Sequence, residues 1–129
     1  LARLTPTQVK GVGGTGFLTG IAGIAAGAYH SLALTSPTHP TSSLRNRVYG
    51  WGENARGQVG NNALVDRLSP FLVATTGLVE IAAGAEHSLA RHNDGRVFAW
   101  GRNDLGQVGD GTLVDRKVPT VVDLIGTST

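Results

Sequence analysis

The chain has 129 residues, 19 of them glycine, with no cysteine and 11 basic against 9 acidic side chains. Without cysteine it can form neither disulfides nor thiolate zinc sites, and the compartment stays undecided. No apolar run reaches the ~20 residues of a membrane span, and the slight positive balance comes from scattered arginines, so a nucleic-acid surface is not indicated.

In chain order, Pro6 to Val9 reads as an orphan strand, because it matches Pro70 to Val73 and Pro119 to Val122. Gly11-Val12-Gly13-Gly14-Thr15-Gly16 then satisfies G-x-G-x-x-G on paper. A dinucleotide fingerprint needs a preceding strand, a following helix and an acid about 20 positions on. Here Ile21 to Gly27 enters a strand and no acid occurs before Glu53, so the segment reads as an insertion between strands.

From this point the chain repeats itself. Ile24 to Ala33 (IAAGAYHSLA) returns as Ile81 to Ala90 (IAAGAEHSLA), identical at nine of ten positions. Val48 to Gly60 (VYGWGENARGQVG) returns as Val97 to Gly109 (VFAWGRNDLGQVG), and LVDR occurs at Leu64 to Arg67 and Leu113 to Arg116. Such self-similarity marks a repeat whose single unit cannot bury its apolar faces alone. The first block is offset by 57 residues and the later ones by 49, which locates an insertion of eight. It falls in Thr35 to Arg47 (TSPTHPTSSLRNR), where the second copy has only His92 to Arg96. The short version contains Asn93-Asp94-Gly95, a hairpin signal whose favoured turn takes positive φ at both central residues.

Within each copy the apolar runs are short and bounded by glycine, which predicts strands. Those of the second copy are Leu78 to Ala83, Ser88 to Arg91, Val97 to Trp100 and Thr120 to Val122. No window shows ten residues of capped helical periodicity. Four short strands per unit of about 50 residues, with recurring glycine and aromatics, is the pattern of a propeller blade. The expected fold is all-β, with antiparallel four-stranded β-propeller blades. Residues 1–23 should be the end of a preceding blade and a glycine-rich connection. Residues 24–73 form a first blade with the inserted loop 35–47, and residues 74–129 a second blade.

The paired H-S-L-A blocks, the paired W-G-x-N-x-x-G-Q-V-G blocks and the paired proline strands closely resemble the regulator-of-chromosome-condensation repeat, over about residues 21 to 124. The resemblance implies a β-propeller, normally of seven four-stranded blades. Valine stands for the usual leucine at Val59 and Val108, and Asn62 stands where the second copy has Gly111. Asparagine tolerates a left-handed backbone, so the turn should be retained. Two blades alone leave two apolar faces open. At ~25 cal/mol per Å² this forfeits several kcal/mol, comparable with a small domain's stability. The chain is therefore expected to belong to a longer array, or to complete its ring with other copies.

A residue needed once per active site should not recur in every blade, so the repeated residues are read as framework. They are Gly27, His30, Trp51, Gly52, Asn54, Gly57, Gln58 and Gly60, with Gly84, His87, Trp100, Gly101, Asn103, Gly106, Gln107 and Gly109. His30 and His87 are expected to bond backbone at a strand entry, the resemblance making them framework positions. Ser31 and Ser88 follow the same logic, and no Ser-His-Asp nucleophile is read from them. Trp51 and Trp100 should pack blade to blade, with Tyr49 and Phe98 on the same sheet faces. The asparagines should shape turns. Asp66-Arg67 and Asp115-Arg116 are placed in polar loops, pairing between blades.

The insertion is the one segment the repeat does not explain, and it should project from its hairpin and tolerate shortening. Thr38, His39, Arg45 and Arg47 are its candidate partner-binding residues. No catalytic residue, cofactor or metal is expected. The favoured function is a non-enzymatic repeat module that binds a protein partner through loops or ring faces. The alternatives are a structural element that assembles with other copies, and a propeller fragment like those of guanine-nucleotide exchange factors.

Overall fold

The computed structural model describes residues 2–122. It is all-β, in two four-stranded antiparallel sheets of order β1-β2-β3-β4 and β5-β6-β7-β8. The first sheet holds β1 (Ile21–Ala26), β2 (His30–Thr35), β3 (Val48–Gly52) and β4 (Arg67–Leu72). The second holds β5 (Leu78–Ala83), β6 (His87–His92), β7 (Val97–Gly101) and β8 (Arg116–Val121). Each sheet is one blade, and equivalent residues take equivalent partners: Ser31 pairs with Trp51, and Ser88 with Trp100.

Several boundaries differ from the sequence expectation. Blade 1 begins at Ile21 rather than residue 24, and β8 begins at Arg116 rather than Thr120. The second shift arises because a register break between Ala99 and Gly101 lets Gly101 pair with Arg116, as Gly52 pairs with Arg67. Arg67 and Arg116 are therefore strand residues, not loop residues. In the Asn93-Asp94-Gly95 hairpin only Gly95 has positive φ, at 93°. That is a type I turn closed by a left-handed glycine rather than the two-residue turn expected. Asn62 and Gly111 share the left-handed conformation, at 61° and 81°, so that turn is retained.

Pro6 to Val9 forms no strand, since no β3-type neighbour stands beside it. The glycine-rich segment is a tight hairpin closed by a Lys10–Phe17 bridge, with one short 3₁₀ turn, Val12–Gly14, and no helix. Expectations for residues 123–129 lie outside the described residues.

The core lies between the blades. Strand alternation sends Leu32, Leu34 and Val48 of blade 1 toward blade 2, where they meet Leu78, Ala90, Phe98 and Trp100. Ile81 and Ala83 pack against this cluster. The face of blade 1 that turns away from blade 2 carries the equivalents Ile24, Ser31 and Trp51. There Ile24 is 81% exposed.

The inserted loop does not project freely. His39 is buried and lies over Gly20, so close that a Cβ on that glycine would overlap its ring. In blade 2 the ring over the matching Gly77 is His92, a residue that the sequence aligns with Thr35. The insertion thus returns a histidine to the same place by a longer route. Arg47 donates from Nη2 to the Val73 carbonyl at 3.0 Å, and the Leu78 amide donates to the Asn46 carbonyl at 2.9 Å. Replacing Thr35–Arg47 by Asn-Asp-Gly should therefore cost about 2 kcal/mol through lost buried hydrogen bonds. The expectation of a freely removable loop is corrected accordingly. Urea unfolding checks it, and an unchanged midpoint would show that the loop contributes nothing.

Candidate functional site

The repeated polar residues converge where the blades meet. Gly27-Ala28-Tyr29-His30 closes the β1–β2 hairpin, with the Gly27 amide donating to the His30 carbonyl at 2.9 Å. The imidazole folds back over Gly27 and reaches blade 2, with Nε2 2.9 Å from the Ser88 hydroxyl. Ser88 donates onward to the Gln58 carbonyl at 2.8 Å, so its oxygen is free to accept from Nε2–H. The Trp100 indole donates to the same carbonyl at 2.9 Å. One main-chain oxygen of blade 1 therefore holds two side chains of blade 2. Gly60 leaves the indole its space: a Cβ there, at φ 88°, would lie 2.8 Å from Nε1.

The backbone partner expected for His30 is replaced by a side chain of the next blade. The pair is no nucleophile system. Ser88 is fully buried, its proton is engaged by a carbonyl, and His30 Nδ1 has no partner among the described residues to orient it.

Burial, and to a lesser degree the neighbouring His87, pushes His30 below the ordinary histidine range. Burial does the same to His87. Both rings are thus neutral in the fold at pH values where they would be protonated in the unfolded chain. Their contribution to stability is complete above the ordinary histidine pKa of about 6.5 and declines as pH falls below it toward their folded values. The melting temperature should drop between pH 7 and 5, and His30→Gln should flatten that drop. Asp110 titrates in a lower window. Burial alone would raise it, but hydrogen bonds from Thr112 and Arg116 hold it at about 2.

The asparagines organise the β3–β4 and β7–β8 connections. Asn103 is fully buried, and its Nδ2 donates to the carbonyls of Thr112 at 3.1 Å and Val114 at 2.8 Å. Its Oδ1 accepts the Val108 amide at 2.9 Å. Asn54 repeats this with Ala63, Val65 and Val59. Gln58 and Gln107 each accept an amide two residues back, from Arg56 and Leu105.

Asp66 and Asp115 accept the amides of Asn54 and Asn103, and Arg116 pairs with Asp110 inside its own blade. The ion pairs across the blades come from a residue outside the repeat. Arg56 of blade 1 lies 3.3 Å from Asp115 and 3.7 Å from Glu86 of blade 2. Sequence reading missed Arg56 because its counterpart is Leu105. The signal was that very difference.

Of the candidate loop residues, Thr38 and Arg45 are exposed, Arg47 is half-buried, and His39 is inside. Arg45 donates from Nε to the His39 carbonyl at 2.8 Å, which fixes the loop from its outer side. On the open face of blade 1, Ile24, Ala26, Ser31 and Trp51 line an apolar groove of about 550 Å³, with Val9 and Leu18 at its edge. Among the described residues there is no group of three His, Cys, Asp or Glu able to hold a metal ion. No described helix is long and apolar enough to cross a membrane.

Known proteins share this arrangement. The chain is similar to an RCC1 domain-containing protein of Dictyostelium discoideum, 40% identical over 81 residues, or 60% of this chain and 10% of that protein. It is similar to human alsin, 37% identical over 92 residues, 69% of this chain and 5% of alsin. It also resembles human HERC3, a probable E3 ubiquitin-protein ligase, 36% identical over 90 residues, 67% of this chain and 7% of that protein. The chain thus spans a tenth or less of these relatives. Among solved structures, Prp20p of Saccharomyces cerevisiae superposes with a TM-score of 0.70 at 26% identity, over 83% of this chain and 26% of Prp20p. Human WBSCR16 shares the fold, at 24% identity and a TM-score of 0.68 over 93% of this chain and 29% of its own. The regulator of chromosome condensation (RCC1) repeat matches residues 45–91 and 94–128, and a second form of the same repeat matches residues 78–107. By the repeat matched over these stretches, the chain belongs to the regulator of chromosome condensation (RCC1) repeat family.

Proposed function

We propose that this chain is a non-enzymatic propeller module that acts as a scaffold for protein partners. The observation that carries the reading is the division of labour among its residues. His30, Asn54, Ser88, Trp100 and Asn103 are engaged inside the fold, whereas the exposed side chains that differ between the copies stand on loops held rigid from below. A rigid framework presenting variable loops suits recognition of another protein. Prp20p, whose structure was described with its binding to Gsp1p and histones, and yeast RCC1 (Prp20) bound to Kap60 both take protein partners. That supports the class of partner and not its identity.

The test is cross-linking capture with the 129-residue chain and with a Thr38→Glu, Arg45→Gln variant. The glutamine keeps a donor for the His39 carbonyl, so the melting temperature should move by no more than about 2 °C, as for ordinary surface changes. The reading expects a specific protein cross-linked through residues 35–47 and at least tenfold weaker capture by the variant. Capture that the variant leaves unchanged would remove this loop from the binding surface, and no specific protein at all would overturn the scaffold.

A further inference from the structure

The chain carries both halves of the contact that joins its own blades, and each half is repeated on an outer face. Blade 1 offers the Gln58 carbonyl and His30 to Ser88 and Trp100 of blade 2. The far side of blade 2 offers the equivalent Gln107 carbonyl and His87. The far side of blade 1 offers the equivalent Ser31 and Trp51, whose hydroxyl and indole N–H have no hydrogen-bond partner among the described residues. Two blades in one chain cannot bring these outer halves together. Two copies can.

The residues that break the repeat say what meets at the outer faces. Inside the chain the rim of the contact is charged: Arg56 reaches Glu86, and Lys117 lies against Gly57. At the equivalent positions on the outer faces stand Leu105, Tyr29 and Leu68, and these are 82%, 76% and 99% exposed. The basic residue has become leucine on one face, and its acidic partner has become tyrosine on the opposite one. A charge pair is thus replaced by an apolar pair, on both sides at once. Glu80 and Arg91, which stand in place of Gly23 and Leu34, leave this rim untouched. They pair with each other at 2.9 Å and lie at the opposite end of the sheet from the Gly84–His87 turn.

We infer that a second copy of this chain covers the open face of blade 1. It docks head to tail, with Leu105 against Tyr29 and Leu68, and with Ser31 and Trp51 bonded to the Gln107 carbonyl. The inference rests on the module reading above and names one partner for it. A contact of this kind is heterologous and produces a ring if the rotation closes, or a filament if it does not.

Sedimentation velocity of the full chain between about 1 and 100 µM, the range in which weak self-association shows, tests the inference. The wild-type chain should sediment above the 13.3 kDa of a single copy as concentration rises. Leu105→Arg and Tyr29→Glu change exposed side chains and should fold normally by circular dichroism, yet each should weaken association at least tenfold. Mixing the two single variants should give a dimer and nothing larger. The introduced arginine of one copy meets the introduced glutamate of the other, and the remaining faces mismatch. The double variant should assemble again. A wild-type chain that stays monomeric throughout, or single variants that assemble as the wild type does, would overturn the inference. A monomer that still cross-links a partner through residues 35–47 would overturn it and leave the scaffold reading standing. Assembly without such a partner would do the reverse.

Discussion

Gly27→Val is expected to destabilise the chain by about 3 kcal/mol or more, through overpacking combined with a broken buried hydrogen bond. A Cβ at Gly27 would overlap the His30 ring at Cε1 and lie 2.6 Å from the Gly84 carbonyl oxygen of the other blade. The imidazole cannot yield without leaving Ser88, and the carbonyl is main chain. Gly84→Val should behave alike, since its Cβ would overlap the His87 ring. Gly23→Ala is the control, because its Cβ would sit 3.6 Å from Leu34 in ordinary contact. Its effect should stay within about 0.5 kcal/mol. Urea midpoints of the three variants decide the matter, and Gly27→Val melting with the wild type would show that His30 has another home.

The second large effect is expected at Asn103. Replacing it with aspartate keeps the shape and removes the two protons that satisfy Thr112 and Val114, leaving a carboxylate facing two carbonyls and the Asp110 side chain. A buried charge facing acceptors should cost about 3 kcal/mol or more. The sign of its pH dependence separates this from a packing defect. The introduced carboxylate would be easier to protonate in the fold than in the unfolded chain, and once protonated it can donate again. The deficit relative to wild type should therefore shrink as pH falls through the weakly acidic range. A deficit independent of pH would point to lost packing alone.

The architecture was legible because the repeat is written twice. Matching IAAGxxHSLA and WGxNxxGQVG blocks place each strand and glycine turn without reference to propensity, and their framework residues lie at the contact between blades. What the sequence did not disclose was which atom each residue bonds. His30 to Ser88 spans 58 positions, and Trp100 to Gln58 spans 42. A linear pattern shows that such residues recur but not that one carbonyl gathers them. Strand starts were misplaced where register breaks at Gly52 and Gly101 extend the pairing back to Arg67 and Arg116. The orphan strand failed for a related reason, since a strand exists only beside a neighbour, and Pro6–Val9 has none. The inserted loop was the least legible element. Its composition reads as surface, and only the space above Gly20 shows why His39 is drawn inside.

The most direct measurement is hydrogen exchange at the two indole N–H groups, read by nitrogen-edited NMR at a dilution where the chain is monomeric. Trp51 and Trp100 occupy equivalent positions in their blades and differ in whether a neighbouring blade offers them a carbonyl. The Trp100 proton, bonded to Gln58 and fully buried, should exchange only when the blades separate, orders of magnitude more slowly than in a free indole. The half-exposed Trp51 proton should exchange within the dead time. Equal, rapid exchange at both would mean that the blades are not joined through Gln58, and would contradict the contact on which both the module and its assembly depend.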